Sequence, residues 1–189
     1  NDTDIPYVFT SKKGIQNTGG TILFENNAQL MQDETGVLNS GNITMFRKAR
    51  LPKKGYTYWS SPVLAQNVYT FSDGGGANGT PKDSFLLYDE TTDYFENTGA
   101  FLLDDASVFQ PALGYAIRGM NSFSADPAGI TLPAVSHPFQ FLGEPRNRAL
   151  TFNLKRKDAD HGYNLIGNPY PSDINFDALI DLNTNVSKM

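Results

Sequence analysis

The sequence predicts an all-β fold, a β-sandwich or jelly-roll-like arrangement of many short antiparallel strands, with solenoid-like rungs at the N-terminus and one short C-terminal helix. Three observations predict it. Short apolar or aromatic runs recur at a spacing of roughly 8 to 15 residues, the rhythm of strands joined by turns. The 189 residues include 17 glycines, 11 prolines and 12% aromatics, a turn-rich balance. A single stretch carries a helical period.

In chain order, strands are expected near Tyr7–Phe9, Thr21–Phe24, Gln29–Met31, Ile43–Arg47 and Tyr56–Ser60. They are expected again near Phe85–Tyr88, Tyr94–Asn97, Gly114–Arg118, Gly129–Leu132, His137–Leu142, Ala149–Leu154 and Tyr163–Gly167. The first of these read as successive short rungs separated by Asn-containing corners, the end of an upstream solenoid. A boundary near Arg50–Lys54 then divides N-terminal rungs (1–50) from a main sandwich domain (51–189) that continues beyond Met189. Ser72–Pro81, rich in glycine, reads as a mobile surface excursion, because glycine there loses too much backbone entropy to hold a regular element. Tyr163, Leu165 and Ile166 read as a buried strand stopped by Gly167-Asn168-Pro169, since proline removes a ladder donor. Ser172 is a good N-cap, with Asp173 in the first turn and Phe176, Leu179, Ile180 and Asn183 spaced for one face of a helix lying on the sheet edge.

A net charge of −5 and a pI near 4.9 argue against nucleic acid or an anionic membrane surface as partner, both of which select a dense cationic face. With no cysteine, disulfide and thiolate chemistry are excluded. No apolar run reaches the ~20 residues that span a bilayer, and the first residues lack the basic and apolar regions of a signal peptide.

Catalytic constellations are sparse. Asp89, Glu90, Asp93, Asp104 and Asp105 supply carboxylates for glycoside hydrolysis by count alone, and solvation beside turns is the preferred reading. Asp173, Asn175 and Asp177 have the alternate-position oxygen spacing of a calcium loop, but lack its sixth-position glycine. Helix capping explains them better, so no cofactor is expected and calcium is the weaker alternative. Strand alternation places Tyr56 and Tyr58 on one face and Thr57 and Trp59 on the other. The sole tryptophan is assigned to the core. Tyr56 and Tyr58, with Tyr94, are then the candidate ligand-binding residues, because exposed aromatic faces hold the apolar faces of sugar rings.

Four motifs carry a resemblance: Tyr58-Trp59-Ser60-Ser61-Pro62-Val63, Gly114-Tyr115-Ala116-Ile117-Arg118, Phe141-Leu142-Gly143-Glu144-Pro145 and Asn164-Leu165-Ile166-Gly167-Asn168-Pro169-Tyr170-Pro171-Ser172. In this order they resemble a domain of very large secreted proteins of gliding and related Bacteroidetes, cargo of the type IX secretion system. The chain departs from that pattern at Pro145-Arg146-Asn147-Arg148, where the family turn has glycine. The resemblance implies a non-catalytic module of an extracellular or cell-surface protein, not an enzyme, flanked by other domains and serving adhesion, surface structure or matrix contact. Its partners are then glycans or surface proteins. The alternative is a carbohydrate-binding module attached to a polysaccharide-active enzyme. Trp59, Pro62, Tyr115, Phe139, Phe141, Leu165, Ile166 and Pro169 are expected as core and corner formers.

Overall fold

Alternation of inward and outward side chains organises the longest strands, and β-branched and aromatic residues fill them. The computed structural model describes residues 6–33, 36–125 and 135–183. Among them are nine strands in three sheets and one short helix, and the fold is all-β. No described helix is long and apolar enough to cross a membrane.

The N-terminal rungs are parallel. β1 (Val8–Ser11) pairs with β3 (Gln29–Gln32), and β2 (Leu23–Phe24) pairs with β4 (Ile43–Ala49). Val8 lies opposite Gln29 and Leu23 opposite Thr44, an offset of 21 residues each time, and a bridge joins Gln16 to Ser40 at an offset of 24. Two coils, each with three short extended pieces, are therefore stacked one on the other. Asparagine holds their corners. Asn39 is buried and accepts from Ile15 N at 2.7 Å while donating to Pro145 O at 2.7 Å. Asn26 Oδ1 accepts from Lys48 N at 2.8 Å.

The second coil runs directly into the sandwich. β4 pairs antiparallel with β9 (His137–Gly143) along seven residues, Met45 opposite Phe141 and Arg47 opposite Phe139. A four-stranded antiparallel sheet in the order β5 (Tyr56–Trp59), β8 (Tyr115–Arg118), β6 (Phe85–Asp89), β7 (Tyr94–Glu96) packs over β9. Trp59 meets Phe139 at 4.7 Å between ring centroids, and Phe71 stacks on Phe139 at 5.1 Å. Each fully buried phenylalanine contributes about 1.5–3 kcal/mol relative to an exposed one. The buried residues, from Leu30 and Met45 through Tyr115 to Phe141, form one cluster that crosses residue 50.

Several expectations differ from the structure. Ala149–Leu154 forms no strand; next to its expected neighbour β9, Gln66 Oε1 accepts from the outward-facing Leu142 N at 2.8 Å, and Val63 bridges to Pro145 just beyond the strand's end. Tyr163–Gly167 is neither a strand nor buried throughout, and Tyr163 and Ile166 are exposed. This segment makes one bridge, Ile166 to Leu113, and Leu165 fills the space left by the missing side chain of Gly114. The helix α1 starts later than expected, at Phe176–Asp181, capped by Asn175, whose Oδ1 accepts from Ala178 N at 3.0 Å. Ser172 lies ahead of the helix, its carbonyl accepting from the Asn168 amide. No residue of α1 is buried, so it does not cover a sheet edge as expected. The glycine-rich loop is folded back on itself by Gly75 N to Thr80 O and tied down by Asn121 N to Gly79 O and Ser122 N to Asn78 O. The strand expected at Gly129–Leu132 lies outside the described residues.

Candidate functional site

Register decides which aromatic side chains share a face. In antiparallel pairs, directly opposite residues point to the same side. Tyr56 lies opposite Arg118 and Tyr58 opposite Ala116. Ala116 in turn lies opposite Leu86, and Tyr88 lies opposite Phe95. Tyr56, Tyr58, Leu86, Tyr88, Phe95, Ala116 and Arg118 therefore occupy the outward face, while Trp59, Tyr115, Ile117 and Phe85 turn inward. Small Ala116 on β8, opposite Leu86 on β6, leaves room above the sheet for rings from the two edge strands β5 and β7 to meet. Tyr58 stacks on Phe95 with centroids 5.7 Å apart and planes 16° from parallel, and Phe95 meets Tyr88 edge-on at 5.1 Å. Tyr58 remains 61% exposed and Tyr56 46%.

Tyr94 falls elsewhere. It is opposite Asp89, which shares the inward parity of Phe85 and Leu87, so Tyr94 projects from the other side of the sheet, at its edge, 70% exposed. The three candidate tyrosines thus do not line one groove. Phe95 and Tyr88 complete the face with Tyr56 and Tyr58, and sequence reasoning missed both. The signal was the length of the Glu90–Asp93 turn, which ends with Asp93 in the left-handed region (φ 57°) and sets the parity of β7 against β6.

The face has a polar rim. The Tyr88 hydroxyl donates to Asp93 Oδ1 at 2.9 Å, and desolvation, reinforced by that carboxylate, pushes its pKa up to about 12. Arg118 donates to Asn121 Oδ1 at 2.6 Å. Buried Glu90 accepts from the exposed Lys155 ammonium at 3.2 Å. An exposed aromatic surface with charged neighbours offers stacking to the C–H face of a sugar ring or to another aromatic side chain.

Two shallow clefts accompany it. One of about 220 Å³ lies between Arg47, Tyr58, Trp59, Asn168, Tyr170 and Asp173; the other, about 290 Å³, is lined by Tyr69, Lys82, Phe85, Asn97 and Leu102. Both fall below the roughly 300–1,000 Å³ of small-molecule sites. In the first, Arg47 spends its guanidinium on Phe46 O and Ala28 O, and burial lowers its pKa while Asp173 pulls it back up.

The carboxylates considered for acid–base work are engaged locally. Asp89 accepts from Thr91 and Thr92, Asp104 from Ala106 N and Ser107, and Asp105 pairs with Lys82. The calcium candidates are similarly committed. Asp173 accepts from Gln29 Nε2 at 2.6 Å, Asn175 caps α1, and Asp177 sits in its first turn. No group of three or more His, Cys, Asp or Glu side chains suited to a metal occurs among the described residues.

The four sequence motifs meet instead in a junction. Ser60 Oγ donates to Asn168 O at 2.8 Å, and Gly167 approaches Ser60 so closely that a Cβ there would lie 2.2 Å from the Ser60 Cβ. Gly114 N donates to Leu165 O at 3.0 Å and Gly167 N to Ala112 O at 2.9 Å. Leu64 N donates to Glu144 O at 2.8 Å, and Leu30 N to Pro171 O at 2.9 Å. The corner at Gly167–Ser172 thereby clamps the solenoid coil to the sandwich. Trp59, Pro62, Tyr115, Phe139, Phe141 and Pro169 are built into it or the core, whereas Ile166 is exposed. Trp59 Nε1 is buried with no hydrogen-bond partner among the described residues.

The chain belongs to the family described as Domain of unknown function (DUF8693), whose model matches residues 8–189, starting at the first residue of β1. No curated protein and no solved structure matches it.

Proposed function

We propose that the chain is a non-catalytic module of a large secreted or cell-surface bacterial protein, working by adhesion, surface building or matrix contact through the outward face of its four-stranded sheet. The observation that carries this reading is the use of the four motifs: their side chains and backbone groups are spent on one another at a junction, and the carboxylates beside them are spent on turns and ion pairs. A module whose motifs are committed to its own packing acts through the surface it presents. The resemblance to domains of type IX secretion cargo in Bacteroidetes points the same way.

A carbohydrate-binding role is the second reading, favoured by the Tyr58–Phe95 stack, whose exposed tyrosine ring is available to a pyranose. Binding of the chain to glycan and surface-protein panels, with Tyr58→Ala alongside, separates the two. Glycan binding lost in Tyr58→Ala supports the carbohydrate reading; protein binding lost in the same variant supports the contact module. Hydrolysis of any panel glycan refutes both.

A further inference from the structure

Among the described residues, the two stacked coils are closed at one end and open at the other. At the closed end, β4 is paired by β9 and β3 is sealed by the Leu30 N to Pro171 O bond. At the open end, Tyr7 O and Ser11 O accept from Gln29 N and Asp33 N. In a parallel ladder, successive residues direct their backbone groups to alternate sides. The groups of Val8 and Thr10 therefore point away from β3, where no described residue bonds them.

The side chains tell the same story. Phe9 lies opposite Leu30, so both point to the same side of the coil, and Leu30 is 1% exposed, which makes that side the interior. Phe9 is nevertheless 56% exposed. An interior-facing phenylalanine is uncovered because nothing described lies on the side away from Leu30. Tyr7, Val8 and Leu23 are exposed on the same coil.

We infer that this open end is a stacking surface for a further coil of parallel β-solenoid, laid in register over Val8–Ser11, Gln16 and Leu23–Phe24. The occupant follows from continuity with the stacking already present: the three extended pieces of the first coil repeat on the second at offsets of 21, 24 and 21 residues. A coil presents three extended pieces at once and matches all of them. An antiparallel pairing of two copies through β1 would match one, and a glycan supplies no run of amide partners. The chemistry required is an extended strand with an apolar residue over Phe9, about 21 residues per coil. Chain entering β1 at Val8 arrives on this open face, so polypeptide leading into β1 is the occupant assigned to it. The inference stands apart from the aromatic face.

The test is amide hydrogen exchange on the full chain and on a version with a tandem copy of residues 8–28 inserted ahead of Val8. The Val8 and Thr10 amides should exchange freely in the original chain and slow by at least about a hundred-fold in the extended one, as buried ladder amides do. Phe9→Asp should abolish that protection in the extended chain while shifting the Tm of the original by less than about 2 °C, as expected of an exposed site. Independently of how the extended chain folds, a large loss of Tm in Phe9→Asp of the original chain would show that its own residues already cover Phe9 and would overturn the inference. So would protection of Val8 and Thr10 in the original chain. If that protection grows with protein concentration, a second copy is the occupant.

Discussion

Gly167→Ala probes the junction at its tightest point. The added methyl would sit 2.2 Å from Ser60 Cβ and 2.4 Å from Ser60 Oγ, well inside contact distance, so Ser60 or the Gly167–Pro169 corner must move. Overpacking of this kind costs about 1–3 kcal/mol. Displacing Ser60 also breaks its 2.8 Å bond to Asn168 O, worth about 1 kcal/mol. Replacing glycine restricts the unfolded chain and returns about 0.4–1 kcal/mol. The net expectation is a loss of about 2 kcal/mol, or a Tm drop of about 4–8 °C for a chain of this length. Urea denaturation of four proteins measures it: wild type, Gly167→Ala, Ser60→Gly and the double variant. Because Ser60→Gly removes the colliding atoms, the double variant should recover at least about 1 kcal/mol of the loss relative to additivity. A Gly167→Ala chain within about 0.5 kcal/mol of wild type, or a strictly additive double variant, would refute the clamp.

Asn39→Ala strips partners from Ile15 N and Pro145 O at a buried corner, and calorimetry should show a loss of about 2–4 kcal/mol, against less than about 0.5 kcal/mol for exposed Asn78→Ala. Trp59→Ala removes a ring packed on Phe71, Phe139 and Phe141 and should cost about 3–5 kcal/mol in denaturant, whereas Tyr58→Ala on the outward face should cost under about 1.5 kcal/mol. His137 stacks on Phe123 with its Nε2 buried and without a hydrogen-bond partner among the described residues, and desolvation lowers its pKa below the usual 6.5. The unfolded chain then binds the proton more readily, so stability is full above about pH 6.5 and declines as pH falls through the window beneath it. His137→Phe should flatten the pH 7 to 5.5 limb of a Tm titration; an unchanged slope would show that other groups cause it.

The strands legible in the sequence are those whose alternation found a partner. Phe139 and Phe141 on β9 read as inward-facing and pair across from Arg47 and Met45. Tyr56 and Tyr58 separate from Trp59 by the same parity. Where local pattern failed, a distant group had taken over the backbone or the edge. Leu150, Phe152 and Leu154 alternate like a strand, yet beside β9 a distant side chain, Gln66, takes the outward-facing Leu142 N, and Val63 bridges to Pro145 just past the strand's end. Ser172 has a cap's chemistry, but the helix begins four residues later, where Asn175 Oδ1 accepts from Ala178 N. The apolar pair Leu165-Ile166 looks like core, and only the missing side chain of Gly114, fifty residues away, explains why Leu165 packs there while Ile166 does not. The side on which Tyr94 falls depends on one left-handed residue, Asp93, which no periodicity reveals.

The most direct test of a contact module acting through the outward sheet face is a binding screen of the full chain against glycans and surface proteins, repeated with Tyr58→Ala and, as a control on the opposite side, Tyr94→Ala. The account predicts a ligand whose binding falls at least about ten-fold in Tyr58→Ala, a loss of about 1.4 kcal/mol, and is unchanged in Tyr94→Ala, both variants remaining folded. Binding that survives Tyr58→Ala and is lost in Tyr94→Ala would place the working surface on the other side of the sheet and contradict it.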